Sequence, residues 1–533
     1  MGRHRGRPGD GVRDMASNDE TTTFARRRFL GSMAAGTTAW LFGCGDDGGS
    51  GTGTETDVGS TGTADGTEGA LTTGVDSSGG DIGSTSGDGS STGGDETTGG
   101  AAVCEDEVLF EERFDAESIL LDDTNFPYAV MAGEMRPTSV LLAVFIADAQ
   151  PRTLRVWKPT DTDGVVAVVA EIEVVPNADG FAKVPVEGLC PGTWYHYGYF
   201  TGAPGSFAAR SILGEFRTAP DDEALEPLAV AMTACCGSSL NWPALTLTAD
   251  EYYDVFLHLG DMAYNDGSFT VAEYRASWAE YMTADGYKQA FARAGMYLTW
   301  DDHEIDDNSN FDRETMDPMQ LQKRQNAMDT YFELVPIDAR GPDYRLWRSF
   351  RWGRTAEFIV LDCRYERRPS MGQYISPEQM AFLQDRLLNS PCHFKIVLNS
   401  VPITNMPGVW DVAANDRWEG YPVQRQELLD FINANQIRNV WFMSGDFHVC
   451  FAANIELGDG GVTASTWEIA VTGGNSNPLP PIAAALNPPQ FDYGVLEPRA
   501  CLLLFDPEAD AVNVRFIDPQ TGQTEYDETL VQG

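Results

Sequence analysis

Apolar positions between residues 105 and about 220 alternate with polar ones or gather in β-branched runs: "SVLLAVFIA", "TLRVWKP", "VVAVVAEIEVV" and "TWYHYGYF". Clusters of turn residues separate them, which predicts short strands and an all-β body. The segment "TAPDDEALEP" reads as the linker out of it. From about 225 onward apolar strand-like runs alternate with helical stretches such as "TVAEYRASWAEYM" and "SPEQMAFLQDRLLN". That pattern predicts an α/β body. Between residues 45 and 103 neither period is present. The chain there is Gly, Ser, Thr and Asp with almost no apolar and no basic side chains. Such a stretch cannot bury enough surface to fold and predicts a flexible, self-repelling tether.

The apolar runs of the α/β body end alike. "PLAVAMTA" runs into Cys235 and Cys236, "DVFLHLG" into Asp261, and "GMYLTW" into Asp301 and Asp302. "AEFIVLD" ends at Asp362, "FKIVLN" at Asn399, and "NVWFMSG" runs into Asp446 and His448. In α/β folds, sites form at the carboxyl ends of strands. One aspartate in that place reads as a helix cap. Strand after strand delivering a metal-type ligand there points to a shared centre.

The stretch "TWDDHEIDDNSN", residues 299–310, sharpens the point. Five acidic side chains (Asp301, Asp302, Glu304, Asp306, Asp307) surround His303, with no lysine or arginine among them. Crowded carboxylates need a partner or must take up protons. A basic neighbour, a solvated loop or metal ions would serve. Of the six histidines, His4 falls in the N-terminal basic region, His196 in the β body, and His258 reads as a packed core residue. His393 reads as a surface residue, which leaves His303 and His448 inside acidic motifs.

A length of 533 residues accommodates two or three domains. A net charge of −44 argues against a nucleic-acid-binding face. It fits an exported, highly soluble protein. The N-terminus agrees. "ARRRFLG" at 25–31 precedes the short apolar stretch "SMAAGTTAWLFGC", well below the ~20 residues of a membrane helix. Together they resemble a twin-arginine signal peptide, and "LFGC" resembles a lipobox with Cys44 as the lipidated residue. Translation starting at Met1 and at Met15 both keep this signal. The expected order is a signal at 1–44, a linker at 45–103, a β-sandwich at 104–222 and a catalytic body at 225–533. The expected location is a bacterial periplasm or cell surface, with the protein a monomer anchored to membrane through Cys44. Cys104 and Cys190 bracket the β segment and are candidates for a disulfide. Cys363, Cys392, Cys450 and Cys501 default to buried free thiols.

The ordered motifs "TACCGSS", "LHLGDMAY", "TWDDHE", "VLDCR" and "SGDFH" resemble the alkaline phosphatase D (PhoD-like) family of metallophosphoesterases, over roughly residues 105–520. "GLCPGTWYHYGYF" followed by "GEFRTAP" resembles the late strands of a fibronectin-type-III sandwich, with tyrosines alternating between core and surface. The resemblance implies a four-layer αββα sandwich behind that small β-sandwich. It also implies two metals, one iron-like (Fe3+) and one calcium-like (Ca2+), with zinc, manganese or magnesium as open alternatives. The first would be held by Cys235, Asp261, Tyr264 and His448, the second by Asp261, Asp302, Asp446 and Asn399. Which of Cys235 and Cys236 is the ligand stays open, with Cys235 in the motif position. His303 would face the substrate, and Arg364 would pair phosphate oxygens. The thiolate, phenolate and three aspartates carry five negative charges, which a trivalent and a divalent ion balance.

The implied reaction is hydrolysis of a small phosphate ester by a metal-bound hydroxide. A phosphodiesterase or phospholipase-D-like hydrolase on the same site is the close alternative. A non-catalytic calcium-binding surface lipoprotein is the distant one, and it would need none of Cys235, Tyr264 or His448. Two departures from the family pattern stand out. "VLNSVP" offers Asn399 and Ser400 where many metallophosphoesterases supply histidine, and "GDMAYND" lacks the glutamate that often follows the tyrosine. The aromatic stretch 404–422 reads either as a pocket wall or as an ordinary packed loop.

Overall fold

The computed structural model describes residue 104 and residues 108–531, except 238–239, 308–311, 313, 339–343, 407, 456–465, 480–485 and 487–488. The signal, lipobox, Cys44 and tether expected from the sequence lie outside the described residues.

Two sheets face each other at the centre. The first has nine strands among the described residues. Its inner members Leu228–Thr233, Val255–His258 and Met296–Leu298 run parallel, and Ala500–Asp506 lies antiparallel beside Leu228–Thr233. The second has seven, with Ala356–Val360, Phe394–Leu398, Val440–Ser444 and Thr466–Ala470 parallel in that order. The inner strands are mostly apolar on both faces, as strands covered on two sides must be, with buried Glu357 and Glu468 as exceptions. Val230, Met232, Val255 and Leu257 meet Phe358, Val360, Ile396, Leu398 and Met443 between the sheets. Phe256, Met296 and Leu298 point the other way, onto Trp278, Phe291 and Tyr331 of the helices Val271–Met282, Asp285–Arg293 and Pro318–Leu334. On the far side, Ile359, Val397 and Phe442 pack on Leu383, Leu387, Leu428 and Leu429 of Pro377–Asn389 and Pro422–Ala434. Helix, sheet, sheet, helix is the four-layer order expected. Local chemistry starts the helices where the pattern predicts. Thr270 with Glu273, and Asp317 with Gln320, close reciprocal capping boxes.

The N-terminal sandwich shares one of these sheets. Its strands Met131–Arg136, Ser139–Phe145 and Phe181–Glu187 extend the nine-stranded sheet, through parallel pairing of Gly133 with Met296. Gly133 is there because a Cβ would lie 2.5 Å from the Pro336 carbonyl oxygen. The opposing sheet holds Arg152–Pro159, Val165–Val174 and Trp194–Ala203. The linker is not a free tether between two bodies. Ala224 O accepts from Arg354 N, and Thr355 hydrogen-bonds both backbone groups of Glu226. The tyrosines of Trp194–Ala203 also differ from expectation. Tyr195, Tyr197 and Tyr199 are all buried, while His196 between them is only partly covered. A spacing of two puts all three on the core face of a strand. Cys104 and Cys190 form a disulfide, and the other described cysteines are buried free thiols. Among the described residues no helix is long and apolar enough to cross a membrane.

Candidate metal centre

The strand ends converge at one edge of the two sheets, and the backbone there is bent to make them do so. Cys235, Asp261, Asp446 and His448 all hold positive φ, between 52° and 64°. A left-handed conformation costs an L-residue of this kind about 1–3 kcal/mol and persists where its surroundings impose it. The surroundings are visible. Cys235 N donates to Gly260 O, Cys236 N to Asp261 O, and Gly445 N to Ser400 O. Gly260 lets the Asp261 turn close on the next strand, since a Cβ there would lie 2.5 Å from Asp301 Cβ.

These turns aim their side chains at common points. Ligand atoms of Cys235, Asp261 and His448 lie within 4.8 Å of one another. So do those of Asp261, Asp302 and His303, and those of Asp261, Asp301, Asp302 and Asp446. Asp261 belongs to all three groups, as a bridging carboxylate would. Tyr264 joins the first, its hydroxyl 3.3 Å from Asp261 Oδ2 and 3.1 Å from His448 Nε2. The Cys235 thiol is the one in the cluster. Cys236 turns instead toward the Thr233 hydroxyl and the Ala234 carbonyl.

The electrostatics ask for a cation. Burial, then Asp261, Asp446 and Asp301, push the Cys235 thiol well above its ordinary pKa. Burial does the same to Tyr264, Asp261 and Asp446. Burial also lowers His448 to about 4, so its imidazole is neutral and free to ligate. Asp261 Oδ1 and Asp446 Oδ2 are buried with no hydrogen-bond donor among the described residues. Buried carboxylate oxygens are rarely left so, and a bound cation would satisfy both while holding thiol and phenol ionised. The donor set fits. Thiol, phenol and imidazole form a softer group on one side, and carboxylates a harder group on the other.

The rest of the acidic stretch has protein partners. Glu304 accepts from the backbone N–H groups of Asp261, Met262 and Asp301, tying two ligand loops together. Burial raises it to about 7 despite those bonds. Asp306 pairs with Lys323. Asp301 receives Arg364 in a two-pronged contact, Nε at 2.6 Å and Nη2 at 2.9 Å. His303 sits with Nδ1 2.8 Å from Asp266 Oδ1 and its ring 3.8 Å from that of Tyr264. Burial opposes a charge on it, but Asp261, Asp266 and Asp302 outweigh that and raise it to about 10.

Two residues behave differently from the sequence expectation. Arg364 is fully buried, and its fork grips Asp301 and Asp416, with Nη2 also 3.0 Å from Asp446 and 3.6 Å from Asp302. It is an internal counter-ion to the carboxylate side, where the sequence suggested a phosphate clamp. Asn399 is buried at its strand end, but its carboxamide oxygen accepts from Trp418 Nε1 at 2.8 Å and from the Cys363 thiol. Its Nδ2 donates to Val401 O. That oxygen is already engaged, where the sequence suggested a calcium ligand.

Three contributors escaped sequence reasoning. Asn475 donates to the Tyr264 hydroxyl at 2.7 Å and lies 3.3 Å from His448 Nε2. Asp266 holds His303. Asp416, in the aromatic stretch 404–422, binds both Arg364 and Arg367. "TGGNSN" follows the strand Thr466–Ala470, so the rule that picked the other ligands would have picked Asn475 too. Asp266 and Asp416 carry no such local signal.

Comparison with known proteins agrees with this geometry. Residues 230–495 match the PhoD-like phosphatase family. Alkaline phosphatase D of Bacillus subtilis (strain 168) is 27% identical over 328 residues, 53% of this chain and 55% of the relative, so the alignment spans about half that protein's length. The solved structure of PhoD superposes with a TM-score of 0.64 at 21% identity, over 76% of this chain and 89% of that one. The purple acid phosphatase PPD1 from yellow lupin (Lupinus luteus) seeds gives a TM-score of 0.53 at 14% identity, over 76% and 75%. With its four layers, its convergent strand ends and this match, the chain belongs to the PhoD-like phosphatase family.

Proposed function

We propose that this protein is an extracytoplasmic, metal-dependent phosphatase acting on small phosphate esters at a dinuclear site, with Fe3+ on the thiol side and Ca2+ on the carboxylate side. The convergence of Cys235, Asp261, Tyr264 and His448 with Asp302 and Asp446 carries this reading. A calcium-binding module needs no thiol, phenol or imidazole. When bound, the ions supply Lewis-acid polarisation of a phosphoryl oxygen and a water acidic enough to attack phosphorus near neutral pH.

The chain's own residues do the rest. Cys235, Tyr264 and His448 would hold one ion and Asp302 and Asp446 the other, with Asp261 available to both. Asn475 anchors the Tyr264 oxygen through its amide. Glu304 fixes the spacing of the Asp261 and Asp301 turns, and Arg364 keeps the carboxylate wall from spreading. His303 faces the cluster and donates a hydrogen bond or proton to the leaving oxygen. The signal-like N-terminus supports export and anchoring through a lipid on Cys44, with the folded body monomeric.

The test is phosphate release from p-nitrophenyl phosphate by the purified protein, before and after chelation. Turnover that chelation abolishes, and iron with calcium restores, is the expected result. Turnover indifferent to chelation, or none with both metals loaded, overturns the reading.

A further inference from the structure

The loop after Tyr264 reaches back to the catalytic histidine in a way the proposed chemistry has not used. It is stitched to the acidic turn at three points. Asn265 N donates to His303 O at 3.0 Å, Asn265 Nδ2 to Glu304 O at 3.2 Å, and Gly267 N to Asp306 Oδ1 at 3.1 Å. This stitching delivers the Asp266 carboxylate onto His303 Nδ1, with both oxygens in reach at 2.8 and 3.0 Å. The Tyr264 ring lies against the imidazole at 3.8 Å and restricts its rotation. Among the described residues the other ring nitrogen has no such grip. Asp307 is 3.8 Å from Nε2 and mostly exposed, too far for a hydrogen bond. One ring nitrogen of His303 also lies within 4.8 Å of the Asp261 and Asp302 carboxylates, so the ring borders the centre.

We propose that Asp266 is the positioning residue of His303: it accepts the Nδ1 proton of the imidazolium, fixes the ring plane, and leaves the Nε2 proton for the departing oxygen of the substrate, the ring ending as the neutral Nδ1–H form. This inference rests on the phosphoesterase reading. In the step, the bond from phosphorus to the leaving oxygen breaks, its electron pair stays on that oxygen, and the Nε2 proton neutralises it. His303 then takes a proton back from solvent. Asp266 keeps its hydrogen bond to Nδ1 throughout and touches no substrate.

A consequence separates this role from a structural one. Help with the proton matters most when the leaving oxygen is basic. An alkyl phosphate needs it, whereas p-nitrophenolate departs well without it. The experiment compares wild type, Asp266→Asn and Asp266→Glu on glycerol phosphate and on p-nitrophenyl phosphate, with metal content measured in each. Expected for Asp266→Asn is a kcat ratio, alkyl over aryl, lowered by about tenfold to a hundredfold, with metal content and KM held. Asp266→Glu, which keeps the acceptor, should recover part of the ratio. Equal losses on both esters, or metal loss in step with activity, overturn the inference while leaving the phosphoesterase intact. A wild type that hydrolyses neither ester, with its metals loaded, overturns the phosphoesterase reading and this inference with it.

Discussion

The two sides of the centre are built on opposite principles. On the side of Cys235, Tyr264 and His448, no arginine or lysine touches the ligands among the described residues. The polar neighbours are neutral Asn475 and the His303 ring against Tyr264, and burial raises the pKa of thiol and phenol. On the side of Asp301, Asp302 and Asp446, a buried guanidinium sits in the middle of the anions, itself steadied by Asp416, which Arg367 also contacts. One side therefore waits for a cation from outside, and the other carries part of its own. The difference teaches that acidic crowding does not by itself count metals. The charge that makes "TWDDHEIDDNSN" tolerable comes from Arg364, Lys323 and His303 as well as from any ion.

Removing the shared ligand should collapse the contrast. Asp261→Asn takes away the carboxylate common to both sides. Activity should fall by at least about a hundredfold to a thousandfold, with both metals lost in elemental analysis and the fold retained in circular dichroism. Full activity would contradict a bridging role. Removing the internal cation comes next. Arg364→Met leaves Asp301 buried without its arginine and Asp416 with Arg367 alone, and breaking such a buried pair costs about 3–5 kcal/mol. The measurement is urea denaturation of the chelated protein, and the loss should shrink when calcium is added. A loss unchanged by calcium would mean that arginine and ion do not share the carboxylate side. The smallest effect separates neighbours. Cys235→Ser should weaken the thiol-side metal by at least about tenfold. Cys236→Ala, whose sulfur faces Thr233, a carbonyl and the Tyr287 hydroxyl and not the ligand cluster, should leave the metals in place and cost less than about 1.5 kcal/mol. Reversed outcomes would put the wrong thiol at the centre.

Legibility in the sequence follows the same division. The four layers, the strand ends and the placement of Cys235, Asp261, Tyr264 and His448 were readable because each is local: an apolar run, then a ligand. What was not readable depends on partners far along the chain. Arg364 meets Asp416 across 52 residues and Asp301 across 63. Nothing in "VLDCR" tells a buried counter-ion from a phosphate clamp. Asn399 looked like a ligand from its position after a strand, but Trp418 of a distant loop takes its oxygen. The boundary near residue 222 follows from the change of period and the linker-like "TAPDDEALEP". Period cannot report that Gly133 pairs with Met296 and carries the sheet across it.

Metal content measured with a visible absorption spectrum on one sample of the purified, folded protein is the most direct check. About one iron and at least one calcium per chain, with a tyrosinate-to-iron band that disappears in Tyr264→Phe, is the predicted result. Calcium alone, or no tightly held metal and no such band, would contradict a thiol–phenol–imidazole iron site.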